Sequence, residues 1–120
     1  MKNWAGLWLL AVGVLHSVLG MVFFTDALAG MVADGLWNSV NTVKGRPVAF
    51  WFEFVGLTMM LLGAFVYWAE RTIGHLPRFL GGGLLALALI AIVAMPLSGG
   101  WLFLPPAMAI LLRKRHETIA

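Results

Sequence analysis

The chain contains no cysteine. Disulfides, thiolate metal sites and cysteine nucleophiles are therefore excluded. Charge is scarce as well: Lys and Arg number 8, Asp and Glu 5, and together they make up 11% of the 120 residues. A soluble domain carries about 25%. No phosphate-binding loop, no HExxH and no Ser-His-Asp order is present. Gly81-Gly82-Gly83 follows no strand, so it reads as a small-residue helix start and not as a nucleotide cradle.

What is abundant is apolar surface: 62% of residues are hydrophobic and mean hydropathy is +0.94. Small domains bury too small a fraction of their surface to hide that much from water. The composition predicts an all-α polytopic membrane protein in contact with the lipid bilayer. The net charge of +3 comes from few residues. Arg113, Lys114 and Arg115 sit beside an apolar run, as the flank of a span does, so no nucleic-acid partner is predicted.

Four spans are expected, at about 4–24, 47–68, 77–95 and 101–112. A helix rises about 1.5 Å per residue, so about 20 apolar residues cross the hydrocarbon. Trp4–Phe24 has 21 residues, longer than the roughly 7–15 of a signal-peptide core, and reads as a retained helix. Pro47 opens the second span, where a missing N–H costs little. Pro96–Gly100 reads as a turn. Pro105-Pro106 should kink the last span or delay its start to near Leu104.

Orientation follows from the basic residues. Lys2, Arg71, Arg78, Arg113, Lys114 and Arg115 fall on one side, Lys44 and Arg46 on the other. That bias places both termini in the cytoplasm. Trp4 and Trp68 are expected at the inner interface, and Trp51 and Trp101 near the outer one. Glu70 and Arg71 read as interfacial anchors, and His75 and His116 as solvent-facing. Between the first two spans, Leu28, Met31, Val32 and Leu36 fall on one helical face. They predict a short interfacial amphipathic helix at about 26–38, weakened by Gly35.

Small residues recur every seven positions. Gly6, Gly13 and Gly20 do so in the first span, Ala49, Gly56 and Gly63 in the second. In lipid, helices associate by close packing, and such a seam lets two backbones approach. The seam serves packing within the bundle or between chains, so a homo-oligomer or a larger membrane complex stays open.

Two ionisable residues lie inside spans, His16 and Glu53. Intramembrane ionisable groups mark functional sites. His16 lies roughly 12 Å from the outer end of its helix, and Glu53 roughly 9 Å from the same face. Ser17 and Thr58 add hydroxyls nearby. An imidazole and a carboxylate at similar depth can pass a proton or hold the polar group of a lipophilic ligand. They can equally form a structural pair that fixes helix register. Two candidate ligands are too few for a metal, and no cofactor is predicted.

Gly13-Val14-Leu15-His16 with Gly20, Ala49-Phe50-Trp51-Phe52 before Gly56, Trp68-Ala69-Glu70-Arg71, and Met95-Pro96 through Leu104-Pro105-Pro106 carry a resemblance over nearly the whole chain. It resembles a family of small bacterial four-helix integral membrane proteins known only as a domain of unknown function. The resemblance implies four helices and a bacterial inner membrane. It implies no activity and no site residues. The functional expectation is binding or transport of a small or lipophilic molecule around His16 and Glu53. An accessory or assembly subunit is the alternative. A membrane enzyme with a Glu/His acid–base pair is the weakest, so the reading leans away from an enzyme.

Overall fold

A computed structural model describes residues 4–97 and 99–113. Lys2, Ser98, Lys114, Arg115 and His116 lie outside the described residues. Among those described there are helices, turns and loops, and no strand. The helices are α1 (Ala5–Phe23), α2 (Thr25–Ala33), α3 (Arg46–Thr72), α4 (Arg78–Ala94) and α5 (Leu104–Leu112), with a 3-10 segment at Gly99–Phe103.

α1 and α3 form the spine. They run antiparallel, and their contact is the small-residue seam. Gly6, Gly13, Gly20, Ala49, Gly56 and Gly63 are all buried. A Cβ at Gly6 would collide with the backbone of Tyr67, and one at Gly63 with the backbone of Leu10. At Gly13 it would lie 2.8 Å from Met60 N. These contacts share a single register, from Gly6 opposite Tyr67 to Gly20 opposite Glu53. Gly30, by contrast, lies against the Arg46 guanidinium.

Helix ends follow local chemistry. The Phe24 N–H donates to Gly20 O, and Thr25 Oγ1 donates to Met21 O and Val22 O, so the chain bends at Phe24. α2 ends at Ala33, because Gly35, Leu36 and Asn38 all take positive φ. The expected helix at 26–38 is therefore shorter. Leu36 falls outside it, Val32 is exposed, and Leu28 and Met31 are the apolar residues that pack. Arg46 holds the following loop: its Nη1 donates to Asp34 Oδ2 and to Ser39 O, both at 2.8 Å. Gly45, with φ 94°, turns the chain into α3, and Pro47 sits in its first turn.

Among the described residues two helices, not four, are long and apolar enough to cross a membrane: α1 with 19 residues and α3 with 27. The expected third span is α4, only 17 residues. The expected fourth is divided into the 3-10 segment and a nine-residue α5. Pro105 and Pro106 fall in the first turn of α5, where their missing donors are not needed. The helix thus starts at Leu104, delayed rather than kinked.

α4 and α5 are moored at one end of the spine. Trp8 Nε1 donates to Leu102 O at 2.7 Å. That contact puts the 3-10 segment near the Trp4 and Trp68 end, so Trp101 does not share the level of Trp51. The core lies there too: Ala5, Leu9, Val66, Ala69, Leu76, Leu84, Ala107 and Ile110 pack together. At the far end α2 packs beside the start of α3, and Leu15, Val18, Val22, Trp51, Phe54 and Val55 on the helix pair face outward.

Candidate functional site

The far half of the spine carries the polar residues that the sequence reading sets inside spans. His16 and Ser17 are consecutive on α1; Glu53 comes from α3. Ser17 is 8% exposed, because Gly56 sits directly against its hydroxyl. Glu53 lies against Gly20, one turn along α1 from His16. A Cβ at Gly20 would overlap Glu53 Oε2 and crowd the Phe52 ring, so a larger residue there would have to push those side chains aside. The seam that joins the helices thus also makes room for the carboxylate.

His16 and Glu53 share a stretch of the helix pair, but no hydrogen bond joins them. Phe52 occupies the face of His16 instead, with ring centroids 3.9 Å apart and planes inclined by 12°. His16 Nε2, Ser17 Oγ and Glu53 Oε2 are buried and find no hydrogen-bond partner among the described residues. Native proteins leave few such groups, because an unsatisfied buried donor or acceptor costs about 1–3 kcal/mol. Three on one short stretch of two helices is a concentrated exception.

Thr58 does not belong with them. It is exposed, and its Oγ1 donates to Phe54 O at 2.8 Å on its own helix. Hydroxyl residues in apolar helices commonly satisfy themselves this way. Among the described residues no group of three or more candidate ligands could hold a metal ion.

A cleft of about 480 Å3 lies farther toward the α1–α2 bend, lined by Val22, Phe23, Phe24, Thr25, Asp26, Ala27, Gly45 and Val48. The two places are connected by rings. Phe24 in the cleft wall lies 5.3 Å from Phe52, and Phe52 covers His16.

The opposite end holds a glutamate with the reverse character. Glu70 is not an interfacial anchor: its side chain is fully buried. Oε1 accepts from the Gly6 backbone N–H at 2.9 Å, and Oε2 from Arg113 Nη2 at 2.8 Å. One carboxylate therefore caps the start of α1 and ties the end of α5 to α3. Its heptad position could have revealed it, since Glu70 follows Gly63 by the same interval that separates Ala49, Gly56 and Gly63. His75 is half-buried rather than solvent-facing, and its Nδ1 has no hydrogen-bond partner among the described residues.

Residues 1–117 match a family of unknown function (DUF6463), and the chain belongs to that family. No curated protein and no solved structure matches it.

Proposed function

We propose that the chain is a multi-pass membrane protein that binds the polar group of a small lipophilic molecule at His16, Ser17 and Glu53. The observation that carries this reading is the set of three buried, unpartnered polar atoms on the far half of the spine. Histidine supplies a donor or an acceptor, serine both, and an ionised carboxylate acceptors. Together they can satisfy a hydroxyl, amine, carbonyl or carried proton.

The membrane placement rests on α1 and α3. Only 28% of the α1 window and 22% of the α3 window are buried within the fold. Core helices of a water-soluble domain would be mostly covered, whereas lipid covers the outward apolar side chains here. α4 and the 3-10–α5 limb complete four apolar helical segments, the last two short enough to require tilt or local bilayer thinning. Both termini face the cytoplasm, with Arg71, Arg78 and Arg113 on that side. In this reading Phe52 is the movable cover, and turning it off the His16 ring opens a route from the cleft through Phe24.

An accessory subunit is the second reading. Phe79 and Val93 are both 81% exposed on α4, and nothing among the described residues approaches Gly82 or Gly83. A close-packed partner helix fits such a face.

The test is organic extraction and mass spectrometry of the protein purified in dodecyl maltoside. Wild type should retain a defined small molecule that Glu53→Gln and His16→Ala lose, while all three proteins elute alike. Equal retention in all three, or no retained molecule in any, overturns the binding reading. Altered complex formation by the α4 variant Gly82→Leu, alongside that result, supports the accessory reading.

A further inference from the structure

We infer that the cleft at the α1–α2 bend is a separate binding site for an amphiphile with an ammonium head and an alkyl tail. It goes beyond the inner polar site and does not require that site to bind anything.

The cleft volume of about 480 Å3 lies within the range of small-molecule sites. Its walls are mostly apolar: Val22, Phe23, Phe24, Ala27 and Val48. Val22, Phe23 and Val48 are exposed, so an alkyl chain laid against them removes apolar surface from water at the interface. One charged side chain lines the cleft, and it is an acid, Asp26. Asp26 has no ion-pair partner among the described residues. The other carboxylate of this connection, Asp34, is already held by Arg46, and so is that arginine.

Thr25 sharpens the polarity. Its hydroxyl hydrogen is directed to the carbonyls of Met21 and Val22, so its oxygen lone pairs remain as acceptors beside Asp26. The polar rim therefore offers acceptors to the ligand, and Phe23 and Phe24 add aromatic rings to the lining. Both features select a cation over an anion. An aminophospholipid head and a free long-chain amine share this chemistry.

The experiment uses the full chain in dodecyl maltoside and radiolabelled dodecylamine, with dodecanol as the uncharged analogue. Wild type should bind the amine more tightly than the alcohol. Asp26→Asn should weaken the amine about two- to fivefold and leave the alcohol unchanged, the scale expected of an exposed charge pair. Val48→Trp, which fills the cleft, should weaken both. Phosphatidylethanolamine is then titrated in: competition identifies the lipid head as the occupant, and its absence identifies a free amine. Equal amine binding by wild type, Asp26→Asn and Val48→Trp overturns the inference. So does equal affinity of wild type for amine and alcohol. Neither result touches the molecule retained through Glu53, so failure of the two sites can be told apart.

Discussion

Glu53 and Glu70 stand on the same helix and the same kind of seam, yet they are treated oppositely. Glu70 lies at the end where α1, α3 and α5 meet. There it accepts from the first turn of α1 and from Arg113, and both carboxylate oxygens are engaged. Glu53 lies farther along α3, facing α1. One oxygen is pressed against Gly20 and finds no donor among the described residues. The first carboxylate holds the fold together. The second is carried by the fold at a cost. In the proposed reading, the supply of partners rather than burial alone separates a structural carboxylate from a binding one.

The largest expected effect removes the seam on which both glutamates depend. Gly6→Leu and Gly63→Leu drive a side chain into the facing backbone, with no flexible group to yield. Each should cost more than about 3 kcal/mol and separate α1 from α3. Thermal unfolding by circular dichroism would show it. Next comes the mooring: Glu70→Ala removes the acceptor of the Gly6 N–H and the carboxylate that Arg113 pairs with, a loss of about 3–5 kcal/mol. Protease sensitivity should rise at α5 before it rises elsewhere. Arg46→Ala should cost about 1–3 kcal/mol, because Ser39 O and Asp34 lose a donor. Limited proteolysis should then cut between residues 34 and 45 while the spine stays intact. The smallest effect belongs to Glu53→Gln, within about 1 kcal/mol of wild type, since no hydrogen bond is lost.

The helix pair was legible in the sequence because a seven-residue period of Gly and Ala is a geometric statement about how close two backbones come. Extended by one more interval it also reaches Glu70, but a glutamate beside Arg71 at a span end looks like an anchor. Its burial depends on Arg113, 43 positions away, which no local pattern reports. The same holds for His16. Depth arithmetic placed it near Glu53, and the register set that carboxylate against Gly20 instead. Phe52 then took the imidazole face, a packing outcome that periodicity does not contain. Apolar length counted four spans, but α4 and α5 are short. Their placement is set by the Trp8–Leu102 contact, the Glu70 ion pair and the core that Leu84, Ala107 and Ile110 share with Ala5 and Leu9, which apolar length does not report. The α2 end was half visible: Gly35 announced a weakness, and the positive φ of Leu36 and Asn38 completed the stop.

The contrast between the two glutamates is tested most directly by measuring the unfolding midpoints of Glu70→Gln and Glu53→Gln side by side in dodecyl maltoside. Glu70→Gln should unfold at a clearly lower temperature than wild type, and Glu53→Gln should unfold with wild type or above it. If Glu53→Gln falls as far as Glu70→Gln, Glu53 is a structural carboxylate and the binding site built on it is wrong.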